Sequence, residues 1–263
     1  MLHNLLRFKA SCLTLSVIMI VTAGCENRLL DDARKYPVPV PAMVQADTTD
    51  IPASTLKAYR RDAEILAAKH RERQNSKRVT LPEELIDLFF HGMLHLYRSD
   101  TPHASRVTRY YKIHNRDHFK TTELIVKYEG GRPWATGWTR GNRFTGNEDI
   151  DQLIREFDLY LESHHTRRFS DNQHVLLNAG KPLHLEALAN LFSDIDGILY
   201  AQPNALDGTS TEIKAWVEPD HVRYEFRLGI GDCTAGCALT HFWVYDVYAN
   251  GDVVFVEKGG SSL

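Results

Sequence analysis

The sequence predicts an α+β fold: N-terminal helices packed on a largely antiparallel sheet, with one β-α-β unit and a C-terminal β-hairpin. Three observations predict it. Apolar residues recur at helical spacing from Leu56 to Leu96. The stretch from His174 to Ala201 passes from a strand pattern to a helix pattern and back. From Glu212 onward, β-branched and aromatic residues alternate with polar ones, and Asn250-Gly251 supplies a two-residue hairpin turn.

At the start of the chain, Arg7 and Lys9 precede a mostly apolar run from Ala10 to Val21. A helix needs roughly 18 or more apolar residues to span a bilayer, and this run is shorter. Its length suits the h-region of a signal peptide, and Ala23 and Gly24 supply small residues at a cleavage site. Val21-Thr22-Ala23-Gly24-Cys25 resembles the lipobox of bacterial lipoprotein precursors. The resemblance implies removal of residues 1–24, lipidation of Cys25 and a cell-envelope location. Two or more acyl chains anchor stably where one is marginal. Glu26 is not the Asp associated with inner-membrane retention in that family, so the outer membrane is favoured.

Residues 25–53 read as a tether. Pro37, Pro39, Pro41 and Pro52 favour extended chain and cannot donate to a sheet. Residues 54–263 are expected to form a single α+β domain, large enough for a sizeable core. Ser54 can cap a helix reaching about Asn75, striped by Leu56, Tyr59, Ala63 and Leu66. Its basic end reads as a solvated face rather than a lipid contact. Thr80 and Glu83 have capping-box spacing before a second helix, with Pro82 in its first turn. His91 and His95 share a face of that helix, but a zincin has Glu after the first His and here Gly92 stands there. No metal site is assigned.

Val107–Ile113 and Thr121–Tyr128 are rich in strand formers and are expected to pair. Trp134, Trp138 and Phe144 then lie in an irregular, glycine-containing stretch that could grip a sugar or peptide, or close one end of a core. A third helix is expected from Asn147 or Thr145 through Leu161 to His164-His165, with Arg167 and Arg168 at its end. The β-α-β unit follows. Its end, Phe192 to Asn204, resembles the end of a subtilisin-propeptide or inhibitor module, which implies a peptide-binding edge.

Beyond the lipidated residue, the chain keeps only Cys233 and Cys237. In an oxidising envelope so close a pair reads as a disulfide. A zinc site with His241 lacks a fourth ligand other than Asp232, and the spacing is not that of a thioredoxin-like motif. Gly231-Asp232-Cys233, Gly236-Cys237 and His241-Phe242-Trp243 resemble the C-terminal part of uncharacterised bacterial envelope lipoproteins, which implies no activity.

Charge gives no case for nucleic acid: 31 Lys and Arg face 34 Asp and Glu. Phosphate-loop, dinucleotide and nucleophile-elbow patterns are absent. No catalytic residue and no cofactor is assigned. The expected partners are membrane lipid, through the acylated N-terminus, and an envelope protein or peptide. The function expected is a membrane-anchored binding or scaffolding domain. The alternatives are an envelope hydrolase whose site assembles only in three dimensions, and a protease-inhibitor-like module.

Overall fold

The computed structural model describes residues 42–115, 119–166, 172–205, 210–231, 233 and 237–263. The signal segment, the lipobox, Cys25 and the tether as far as Pro41 lie outside the described residues, as do Arg167, Arg168, Asp232 and Gly236.

Two helices come first, α1 (Ala53–Arg73) and α2 (Glu83–Arg98). A single π-helical turn, Arg106–Tyr110, follows. Next come β1 (Phe119–Glu129), the short α3 (Ala135–Thr139), α4 (Glu148–Glu156), β2 (Leu159–Thr166), β3 (Asn172–Ala179), α5 (Leu185–Ser193) and β4 (Ile198–Ala205). The chain closes with β5 (Thr211–Val217), β6 (His221–Ile230), β7 (Leu239–Tyr248) and β8 (Val253–Gly260).

The α+β class is the one the sequence predicts, but the strands form two four-stranded antiparallel sheets. The first has the order β2-β3-β1-β4, with every neighbouring pair antiparallel. β3 and β4 therefore run parallel on either side of β1, joined through α5: this is the expected β-α-β unit, split by a strand. β1 and β2 are related in the same way through α3 and α4. Together they make the double split β-α-β arrangement called ferredoxin-like. The second sheet is a plain meander, β5-β6-β7-β8.

Each sheet has its own core. Tyr59, Leu66, Leu85, Phe89 and Met93 of the first two helices pack on Tyr224, Phe226, Trp243 and Tyr245 of the second sheet. Val126, Tyr128, Trp138, Ile150, Leu177, Leu188 and Phe192 fill the other. The ferredoxin-like stretch is thus inserted between the second helix and the meander that helix packs on.

The turn between α1 and α2 helps to join the two. Between α1 and α2, Val79 is buried in the core of the first sheet. Its carbonyl accepts the His184 N–H at 2.7 Å, and Thr80 bridges to Leu183. This bridge explains why Thr80 is no cap: the residue before α2 is Pro82, with no side-chain capping bond.

Other local expectations change. Val107–Ile113 is not a strand. Val107 and Ile113 are fully buried against the helices, and the Thr108 hydroxyl donates to the Ala104 carbonyl at 2.7 Å, so the segment curls into a π turn. The third helix ends at Glu156 rather than near His165. Asp158 takes a positive φ of 49°, and the chain reverses into β2, where His165 faces His174 of β3. The apolar stripe that ran on through Leu161 joins a helix to a strand, because both present the same core. Asn147 does cap α4, accepting from Ile150 N–H at 3.1 Å, while Thr145 is held by the Asp151 carboxylate.

The last residues of the expected tether lie on α2. Ala46 N–H donates to His91 Nδ1 at 3.2 Å, the Val44 carbonyl sits 2.9 Å from His95 Nε2, and Arg98 donates to the Asp47 and Thr49 carbonyls. The two histidines one turn apart hold backbone. No helix among the described residues is long and apolar enough to cross a membrane.

Candidate functional site

The residues singled out in the sequence do not converge. Trp138 is fully buried and Trp134 half-buried, their rings 5.8 Å apart and both against Tyr128. They close one end of the core of the first sheet. Phe144 is exposed, with the Arg143 and Arg155 guanidinium groups within 5.4 Å and 5.6 Å of its ring. The Cys233 and Cys237 sulfurs are 2.15 Å apart, at disulfide distance. His241 is held elsewhere: its Nδ1 lies 2.6 Å from the Ser261 carbonyl and its ring packs against Trp243 at a 60° tilt.

A cleft of about 500 Å³ opens where the two cores meet. One wall is the end of α1 and the turn after it: Glu72, Asn75, Ser76 and Lys77. The other is α5, with His184 and Glu186 at its start and Asn190, Leu191 and Asp194 further along. The volume is in the range of small-ligand pockets.

The first wall is shaped by a helix terminus. α1 ends in a Schellman motif: Ser76 N–H donates to the Arg71 carbonyl at 3.0 Å and Asn75 N–H to the Glu72 carbonyl at 2.9 Å. Asn75 takes the left-handed φ, 50°, that the motif requires. The turn throws the chain across the mouth of the cleft before Val79 enters the other core.

On the second wall His184 is the residue before α5, and it is 3% exposed. Its Nδ1 lies 3.1 Å from the Arg78 carbonyl. A carbonyl only accepts, so Nδ1 carries the hydrogen and Nε2 the lone pair. Burial holds the imidazole below its ordinary pKa, with Arg71 adding to the effect and Glu72 opposing it. The ring is therefore neutral at pH 7. Among the described residues Nε2 has no hydrogen-bond partner. A buried acceptor left unsatisfied costs about 1–3 kcal/mol.

One carboxylate of the cleft acts on another. Glu186 is pushed above the usual carboxylate range by burial first and by the charge of Glu72 second. Glu72 thus acts on both Glu186 and His184 across the cleft. Among the described residues no three His, Cys, Asp or Glu side chains converge as metal ligands. A lone-pair nitrogen among carboxylates can instead accept hydrogen bonds and balance positive charge.

A second polar cluster is a clamp. Asp62, 1% exposed, accepts from His114 at 2.6 Å and from Asn115 N–H at 2.7 Å. Asn115 in turn accepts from Ile213 N–H at 3.0 Å, and the Thr211 hydroxyl donates to the His114 carbonyl at 2.8 Å. These contacts tie together the two strands of chain that lead into and out of the inserted sheet.

Nothing in the sequence pointed to the cleft. His184 and Glu72 are far apart along the chain and belong to no motif. No protein-family model, no curated protein and no solved structure matches the chain.

Proposed function

We propose that this chain is the precursor of a lipid-anchored cell-envelope protein, and that its folded part binds a small ligand in the cleft between α1 and α5. The observation that carries the binding half is His184. His184 is nearly buried and lines the ligand-sized cleft, and its Nε2, itself buried, keeps an unsatisfied acceptor whose cost a donor brought to it would offset. The anchoring half rests on the sequence, on the lipobox at Val21–Cys25.

Two experiments test this. Mass spectrometry of the protein from membranes should find an N-terminal Cys25 bearing acyl chains; a chain that still begins at Met1 would overturn the anchor. For the cleft, the full chain in detergent is screened by ligand-observed NMR against pools of small envelope metabolites. Asn190→Trp serves as the comparison, because Asn190 is exposed and lines the cleft without entering the core. Ligands should bind the wild type and not Asn190→Trp. Equal binding by both would remove the cleft from consideration.

The hydrolase reading draws on the same residues, since a neutral imidazole beside a carboxyl of raised pKa has the makings of an acid–base pair. It requires turnover of an ester, amide or glycoside, lost on His184→Gln with binding retained.

A further inference from the structure

We infer that the ligand of the α1–α5 cleft is a small molecule carrying a protonated amine; this rests on the binding role proposed above for the same cleft. Charge and hydrogen-bond inventory lead to that class. Among the described residues, Glu72, Glu186 and Asp194 line the cleft against one cation, Lys77. Arg71, whose charge also reaches the His184 ring, does not line it. The lining therefore keeps an excess of negative charge.

The neutral groups make the same demand. The buried Nε2 of His184, a residue of the cleft lining, carries only a lone pair, because Nδ1 is committed to the Arg78 carbonyl. Any partner there must be a donor. An ammonium group is all donor, with three N–H bonds and no acceptor. It can give one to Nε2 and others to the carboxylates, and charge-assisted bonds of this kind are the stronger sort. Asn75 and Asn190 add side-chain carbonyls that accept and amide groups that donate, suited to hydroxyl or amide functions elsewhere on the molecule. Leu191 and Ala187 supply an apolar floor for its carbon skeleton. A carboxylate or phosphate ligand would instead face both the acidic lining and the lone pair, each repelling it.

Burial first and the charge of Glu72 second raise the Glu186 carboxyl above its ordinary range, and a cation between the two would relieve that repulsion.

The test uses the full chain in detergent and one carbon skeleton with three kinds of head group: putrescine, butanediol and succinate. Calorimetry measures affinity, and histidine-selective nitrogen NMR follows His184 Nε2. Putrescine should bind about tenfold or more tightly than butanediol, with succinate weakest, and should move the Nε2 signal. Glu72→Gln with Glu186→Gln should abolish the preference for putrescine over butanediol. Glu84→Gln, an exposed acid outside the cleft, should leave it unchanged. Succinate or butanediol binding as well as putrescine, or putrescine binding without a shift at Nε2, would overturn the amine assignment. So would the absence of putrescine binding. None of these results touches the cleft itself, whose fate is decided by the metabolite screen against Asn190→Trp.

Discussion

Asp62 Oδ2 lies 2.6 Å from His114 Nδ1, a hydrogen bond between helix α1 and the chain leading into β1. The other oxygen of the same carboxylate takes the Asn115 N–H. One buried side chain thus fixes the direction in which the inserted sheet leaves the helical layer.

Removing that carboxylate strands a buried donor. Asp62→Ala should destabilise the protein by about 1–3 kcal/mol through the unpaired Asn115 N–H alone. Asp62→Asn keeps an acceptor and should lose less. Urea denaturation of the variants checks this, and equal stability for Asp62→Ala and wild type would show that the contact holds nothing.

Gly92 lies where Tyr224 crosses α2. A Cβ there would come within 2.2 Å of the Tyr224 hydroxyl oxygen, which donates to the Phe89 carbonyl at 3.1 Å. Tyr224 is fully buried and has no room to retreat. Gly92→Ala should therefore cost about 1–3 kcal/mol by overpacking, even though Ala is the better helix former. Gly92→Ala combined with Tyr224→Phe should recover part of the loss. A stabilised Gly92→Ala, read from its melting temperature, would contradict this packing.

Acid should weaken the fold through its buried histidines. His70 is held down to about 4, chiefly by burial and then by the charges of Arg73 and Arg71. His91 and His184 are shifted in the same direction, also chiefly by burial. The unfolded chain takes up these protons near pH 6.5 and the folded chain only lower. The contribution is therefore complete above about pH 6.5 and is lost as pH falls from there toward 4. Stability measured by urea titration across this window should fall steadily, and His70→Leu should flatten the slope. An unchanged slope in that variant would mean that His70 is not the group responsible.

The cysteine pair closes a short loop against Gly229, where a Cβ would meet the Cys237 sulfur at 1.9 Å. Cys233→Ser with Cys237→Ser should cost about 2 kcal/mol on the chain-entropy model. Gly229→Ala should leave the thiols more open to alkylation than in wild type, because the bonded sulfurs and the new methyl compete for one space. Identical labelling of Gly229→Ala and wild type would argue against that crowding.

Much of the fold was legible. The stripes from Leu56 to Leu66 and from Leu85 to Leu96 mark helices α1 and α2. In β7 the alternation places Trp243, Tyr245 and Val247 inward, and the last hairpin turns at Asn250-Gly251 as expected, though with three residues between Tyr248 and Asp252 rather than two and only Gly251 at positive φ, 90°. These signals are local, because a helix or strand facing one core repeats its apolar residues at its own period. Where the same core faces a helix and then a strand, as around Asp158, the stripe runs on and the boundary vanishes. Where a strand-forming segment is enclosed by helices, as at Val107, burial overrides propensity.

The sequence by itself determined the class of the fold, the order of most elements, the hairpin turn and the pairing of Cys233 with Cys237. Only the tertiary structure decided that the strands divide between two sheets, that β1 parts β3 from β4, and that Glu72 and His184 face one cleft. The physical reason is reach. Period and turn chemistry are written in neighbouring residues, whereas a lone pair becomes an unsatisfied acceptor only when folding buries it beside groups from another part of the chain.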